Sequence, residues 1–125
     1  MSAGASLQAA VALRLEELVG LAGVYDGPPA RAGFPYVALD GGLEHDWGHK
    51  SGTGREVALG VTLWGDQADG LQALGDAVEA SVLGTGPVSG WQLVSLQLLR
   101  RRTVRDVAGP WAVALDFRGR LLASE

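Results

Sequence analysis

Cysteine is absent from this sequence of 125 residues, which excludes disulfides, thiolate nucleophiles and zinc sites built on cysteine. Lysine is scarce as well, occurring once against nine arginines, a bias that indicates a GC-rich genome and not a function. Long apolar runs are also missing, because Arg14, Glu16 and Glu17 interrupt the one near the N-terminus. Residues 1–6 carry no basic side chain, so we expect neither a signal peptide nor a membrane span. We therefore expect the protein to stay in the cytoplasm of the cell that makes it.

Motifs of the common enzyme classes are lacking too. No Gly-x-Ser-x-Gly elbow occurs, and the glycine turns at 52–55 and 84–87 lack the lysine of a phosphate-binding loop. The net charge of −4 argues against general nucleic-acid binding, which depends on neutralising phosphates. We therefore expect no enzyme and no cofactor.

What the sequence does contain is the composition of a globular protein. Hydrophobic residues make up 47% and charged residues 19% of the chain, with both signs interspersed. A chain of this length buries enough apolar surface for one core without covalent staples. We expect a single domain over residues 1–125.

Two segments have the spacing of amphipathic helices. In the first, Ser6 is a good N-cap, and Gly20 and Gly23 close the segment. In the second, Asp66 precedes the helix as a possible cap and Gly84 ends it. The apolar stripes that these helices must bury are Leu7, Val11, Leu15, Leu18 and Ala22 in the first, and Leu71, Leu74, Val78 and Val82 in the second.

Strands are predicted where large apolar residues alternate with small or polar ones. The segments with this pattern are 36–39, 55–64, 94–98 and 111–117, and a short extended piece at 24–26 precedes a proline-rich turn. In the third strand Val94, Leu96 and Leu98 are expected on one face, and residues 106–110 form the turn into the last strand. The predicted fold class is α+β: an antiparallel sheet of about four strands with two helices packed on one face, in the order α-β-β-α-β-β.

The sheet face turned away from the helices is expected to be lined with small residues. These are Ala58, Gly60, Thr62, Ala112 and Ala114. Small side chains allow another backbone to approach closely, so a neighbouring subunit covering this face is one reading. The other is that small residues merely tolerate exposure to water there.

The densest polar segment runs from residue 44 to 55. His45 and His49 are four apart, a metal-binding spacing on a helix, with Asp46 between them, but the glycines of this segment make a helix improbable. A metal-dependent enzyme centred on these three residues is therefore the weaker hypothesis, and a solvated loop the stronger. Trp47 either anchors a partner or packs on its own sheet. The candidates of this segment for a subunit or partner interface are His45, Asp46, Trp47, His49, Lys50 and Arg55.

Four arginines within six residues form a second candidate surface. In an extended segment Arg100 and Arg102 share one face, and Arg101 and Arg105 share the other. Such a strand can pair with acidic groups of a partner or lie near DNA in a channel. The alternative is a solvated strand end that discourages edge aggregation.

The order of these segments resembles the small phage tail-completion proteins. The resemblance rests on a helix ending in Leu-Val-Gly, followed by Val-Tyr-Asp-Gly-Pro-Pro at 24–29 and Phe-Pro-Tyr-Val at 34–37. Asp46-Trp47, the strand ending Leu63-Trp64, the helix after it and a late strand near Glu125 continue the pattern. It covers nearly the whole chain, and it implies an α+β fold without catalytic residues.

The resemblance also implies a function: a tail terminator of a phage or gene transfer agent that caps the tail tube as a hexameric ring and joins it to the head. The implied partners are other copies of the chain, the tail tube protein, the head–tail connector or stopper protein and the tape measure protein, with DNA only passing through the lumen. Two alternatives remain open. One is a head-completion or stopper protein of the connector, and the other is a small non-viral adaptor that binds proteins.

Overall fold

The structure is a computed structural model that describes residues 1–105, 107 and 109–124. Its elements are α1 (Ala3–Glu16), β1 (Gly23–Asp26), β2 (Tyr36–Asp46), β3 (Gly54–Gly65), α2 (Leu71–Leu83), β4 (Trp91–Arg105) and β5 (Trp111–Ala123). The predicted turn at 106–110 includes Asp106 and Ala108, which lie outside the described residues, as does Glu125. Among the residues described, no helix is long and apolar enough to cross a membrane.

One five-stranded mixed sheet, in the order β1-β2-β3-β5-β4, organises the molecule. The α+β class with two helices is confirmed, but the expectation of about four strands, all antiparallel, is wrong. β1 is an additional strand, and it pairs in parallel with β2 from Gly23 opposite Tyr36 to Asp26 opposite Leu39. The connection at 27–35 carries the chain back to the level at which β1 began, so that β2 runs in the same direction.

The remaining strand pairs are antiparallel, and bulges shift two of them. Their registers place Thr62 opposite Ala114 and Ala114 opposite Arg102. Bulges after Leu93 and after Leu98 change which side chains of β4 face the core, so the prediction that Val94 shares a face with Leu96 and Leu98 is wrong. Leu93, Leu96 and Leu98 pack against the core, whereas Val94 is 46% exposed.

Both helices pack on the same face of the sheet, and the core lies between the helices and the sheet. The fully buried side chains include Leu7, Val11 and Leu15 of α1, Val78 and Val82 of α2, and Val37, Leu39, Val61, Leu63, Val113, Leu115, Phe117 and Leu121 of the strands. Except for Leu121, which lies beyond the predicted last strand, these are large residues of the predicted stripes and alternations, which burial removes from water. The sheet therefore has a helix-covered inner face and an uncovered outer face.

The predicted helix boundaries need correction. Ser2, not Ser6, caps α1, because its Oγ accepts a hydrogen bond from the backbone N–H of Ala5 while Ser6 is buried inside the helix. α1 also ends at Glu16, before either of its expected glycine terminators. α2 begins after Gly70, whose φ of 77° only glycine adopts readily, and not after Asp66.

Candidate interaction surfaces

The outer face of the sheet has an apolar half at the start of β2. Tyr36 makes an edge contact with Tyr25 and stacks with Phe34, with ring centroids 5.8 and 5.7 Å apart. Tyr36 also lies opposite Trp64 of β3. Beside this aromatic group a shallow hollow of about 470 Å³ is lined by Thr62, Trp64, Arg102, Val104, Ala112 and Ala114. Three of the five predicted small residues therefore form the floor of this hollow.

The other half of the outer face is charged. Oε1 of Glu56 lies 2.9 Å from Nε of Arg120 and 3.8 Å from Nε of Arg118. The hydrogen bond from Arg120 holds the pKa of Glu56 below its ordinary value, against a smaller opposing effect of burial. Nearby, Nη2 of Arg100 lies 2.9 Å from Oδ2 of Asp116. The small residues Ala58 and Gly60 lie opposite Arg118 and Asp116 in the strand register.

The tip of the β2–β3 hairpin carries most of the polar segment predicted from sequence. Backbone hydrogen bonds between Trp47 and Gly54 (2.9 Å) and between His49 and Gly52 (3.0 Å) fold it into a tight turn. Trp47 is half-buried: its ring lies 5.6 Å from the guanidinium of Arg120 and 5.9 Å from the His49 ring. Lys50 is exposed at the turn. The tip is thus an ordered projection with one aromatic ring held in place by a cation.

Three further candidate residues of this segment, Arg55, His45 and Asp46, have neighbours of their own. Arg55 lies towards the start of α1, where its Nε is 3.7 Å from Glu44, whose Oε1 accepts the backbone N–H of Gly4 at 2.9 Å. His45 lies opposite Glu56 in the strand register, and Asp46 accepts the backbone N–H of Gly48. Over residues 1–105, 107 and 109–124, no group of three His, Asp or Glu side chains is arranged to hold a metal ion.

The arginine cluster divides between the two faces of β4. Arg101 lies on the inner side, where Nη1 is 2.7 Å from Asp76 and 3.1 Å from Glu79 of α2. Partial burial lowers the pKa of Arg101, but the hydrogen bonds to these two carboxylates outweigh it, so the pKa is raised. Arg105 lies 5.1 Å from the Trp111 ring. Arg100 and Arg102 lie opposite Asp116 and Ala114 on the outer face.

Several residues of these surfaces were not among the sequence candidates. Arg118 and Arg120 lie just beyond the predicted last strand at 111–117, although their spacing with Ala112, Ala114 and Asp116 places all five on one face of β5. The aromatic group carries no comparable signal, because Tyr25 reaches Tyr36 only through the pairing of β1 with β2. Phe34 is two residues from Tyr36 in the sequence and stacks with it. Asp40 lies just beyond the predicted strand at 36–39, but β2 continues past it to Asp46.

Comparisons with known proteins point to the same family that the order of the sequence segments resembles. The family described as "Tail completion protein gp17" matches residues 5–121. A chain from the solved structure described as "Virion of native gene transfer agent (GTA) particle" is similar in sequence and fold, with 29% identity and a TM-score of 0.80. That similarity covers 98% of this chain and 100% of the other. No curated protein matches the sequence.

Proposed function

The chain belongs to the family of tail completion protein gp17, and on that premise we propose that it is a tail terminator, a structural virion protein at the junction of tail and head. The observation that carries the proposal is the similarity to a chain of a gene transfer agent virion over the full length of both chains. A likeness that spans every element, at 29% identity, favours a shared place in a particle over a shared fold alone.

We propose that the protein acts as a ring, hexameric by analogy with the family, on the last ring of the tail tube. A ring of identical subunits is built from heterologous contacts, so each subunit must offer two different complementary surfaces. This chain has suitable surfaces in its outer sheet face, the ordered hairpin tip and the two edges of the sheet. Its role is structural: it stops growth of the tube and supplies the surface that meets the connector.

The proposed partners follow from that position. They are further copies of the chain, the tail tube protein below the ring, and the head–tail connector or stopper protein above it. The tape measure protein is a further partner, and DNA only passes through the lumen. The aromatic group around Tyr36 and the ring of Trp47 are the apolar anchors available for protein contacts.

Deletion of the gene, in frame, from the producing phage or gene transfer agent tests the proposal. We expect overlong or unattached tails beside filled heads in negative-stain electron micrographs, with tail lengths more widely distributed than in the parent. Plasmid-borne expression of the full chain must restore both tail length and joining.

Other outcomes assign a different role. Tails of normal length that fail only to join heads would place the protein in the connector, as a stopper. Intact infectious or gene-transferring particles would contradict a virion role and favour the adaptor alternative.

A further inference from the structure

Charge is distributed unevenly across the strands of the sheet. β1 and β2 carry Asp26, Asp40, Glu44 and Asp46 and no lysine or arginine, a formal charge of −4. β4 carries Arg100, Arg101, Arg102 and Arg105 and no carboxylate, a formal charge of +4. β3 has one residue of each sign, and β5 has two arginines and one aspartate. Because neighbouring strands lie about 4.8 Å apart, the two outer strands of opposite sign are separated by about 19 Å.

Both charged strands have open edges. β1 covers β2 only from Tyr36 to Leu39, so residues 40–46 of β2 border no further strand of the described chain on that side. At the other side β4 ends the sheet order, and its outer edge pairs only at Trp91, with Val88, among the residues that the structure describes. Open edges expose backbone N–H and C=O groups and are natural templates for pairing with another chain.

Four charges at the two edges have no ionic partner within the described part of the chain: Arg102, Arg105, Asp40 and Asp46. Arg105 lies against the Trp111 ring and Asp46 accepts the backbone N–H of Gly48, which leaves Arg102 and Asp40 as the candidates for a contact with another chain. Arg101 is bound by Asp76 and Glu79, and Arg100 by Asp116, but Arg102 makes no ion pair among these residues. Asp40, the first residue of β2 beyond β1, likewise makes none there. Both side chains are exposed and lie on the outer face of the sheet.

Arg102 and Asp40 also lie at nearly the same level along the strand direction. Arg102 lies level with Ala38 through the register Arg102–Ala114–Thr62–Ala38, and Asp40 is two residues further along β2. An offset of about 7 Å between adjacent copies brings the two side chains to the same level.

We infer that successive copies of the chain join edge to edge, with the basic edge of β4 in one subunit set against the acidic edge of β2 in the next, and Arg102 facing Asp40. The inference rests on the proposed ring and names its subunit contact. Contact between different edges is head-to-tail, the geometry that closes into a ring. Two β4 edges or two β2 edges would bring like charges together, which disfavours a symmetric dimer.

Charge reversal in the full chain tests the contact, using plasmids that complement the in-frame deletion. Arg102→Glu or Asp40→Arg alone is expected to lower particle titre by about tenfold or more, since each brings like charges together. The double variant is expected to restore the titre. Co-expression of the two single variants is also expected to restore it, because subunits that alternate around an even-numbered ring then meet only opposite charges.

Controls separate this contact from folding and from net charge. Asp69→Arg and Arg31→Glu make the same changes in charge outside both edges and are expected to complement fully. Each purified variant must melt at the temperature of the unaltered chain. If a charge reversal lowers the melting temperature, the neutral variants Arg102→Gln and Asp40→Asn are used in its place. If the two residues contact each other, the double neutral variant should lose no more particle titre than either single variant.

The failure of the inference is distinct from failure of the proposed function. Single variants that complement like the unaltered chain would overturn the edge contact while the deletion phenotype still supports a terminator. Single variants that fail and are rescued by neither the double variant nor co-expression would assign the two residues to another partner and also overturn it. A deletion without effect on tails would remove the terminator itself.

Discussion

Nη1 of Arg101 lies 2.7 Å from Oδ1 of Asp76 and so joins the middle of the edge strand β4 to α2. The same nitrogen lies 3.1 Å from Oε1 of Glu79, and Nη2 reaches the backbone and side-chain oxygens of Gln72. The Arg101 side chain is only 21% exposed. Arg101 therefore fixes the helix to the sheet, whereas its neighbours Arg100 and Arg102 face the outside.

Replacement of Arg101 by alanine is expected to destabilise the monomer. Hydrogen bonds to charged groups contribute about 1.5–3 kcal/mol each, and the exposure of Asp76 reduces its share, so we expect a total loss of about 2 kcal/mol. Urea unfolding measures the change, with Arg102→Ala as the control. The free energy of unfolding of Arg102→Ala should stay within about 0.5 kcal/mol of the unaltered chain. Equal losses in the two variants would contradict a specific role for Arg101.

Glu56 makes the stability of the fold depend on pH. Its pKa in the folded chain is lowered, first by the hydrogen bond from Arg120, so the ionised carboxylate stabilises the fold above its ordinary pKa of 4.5. That contribution is lost as the pH falls from about 4.5 through the lower folded-state pKa. Glu56→Gln should therefore lower the melting temperature at neutral pH and flatten its fall in acid. Parallel melting curves for both chains between about pH 3 and pH 7 would contradict this prediction.

Ser6 is a buried side chain whose removal is expected to stabilise the fold. It is 3% exposed, and its Oγ has no hydrogen-bond partner among the described residues. An unsatisfied buried hydroxyl costs about 1–3 kcal/mol, and alanine is also the better helix former. Ser6→Ala should raise the free energy of unfolding by up to about 1 kcal/mol. Ser2→Ala, which removes the helix cap, is the control and should lower it by about the same amount.

The core of this fold was predictable from sequence, and the parallel pairing of β1 at one edge of the sheet was not. Periodicity predicts both helices and the four long strands, because the local spacing of residues such as Leu7, Val61 and Phe117 already shows that they share a buried face. β1 is only four residues long and owes its assignment to its pairing with β2. Pairing between segments that are distant in sequence leaves no local pattern to detect.

The candidate surfaces were predictable in the same limited way. Alternation placed Arg100 and Arg102 on one face and Arg101 on the other, as the structure has them. It could not show that Arg101 is bound by a helix from an earlier part of the chain. Nor could it show that Asp40 is the first β2 residue beyond β1, because that depends on where β1 ends.

Trp47 is expected to serve assembly more than folding. The ring contacts Arg120 and His49 at the hairpin tip, away from the main core cluster. Trp47→Ala should therefore lower particle titre about tenfold or more with little change in melting temperature. Trp91→Ala is the control, since Trp91 packs against the core and its loss should lower the melting temperature. Loss of cooperative melting in Trp47→Ala would show instead that Trp47 belongs to the fold.

Because the chain has no cysteine of its own, introduced cysteines can test the subunit contact and count the subunits of the ring in assembled particles. A chain carrying both Asp40→Cys and Arg102→Cys holds one thiol at each proposed edge and no others. Treatment of purified particles with a short bifunctional thiol reagent should give a ladder on a denaturing gel, because every subunit is linked to two neighbours. The highest rung gives the number of subunits in the ring. Either single variant should stay monomeric, since a head-to-tail contact never brings two copies of one edge together. A dimer from a single variant would show that like edges meet and would contradict the ring contact.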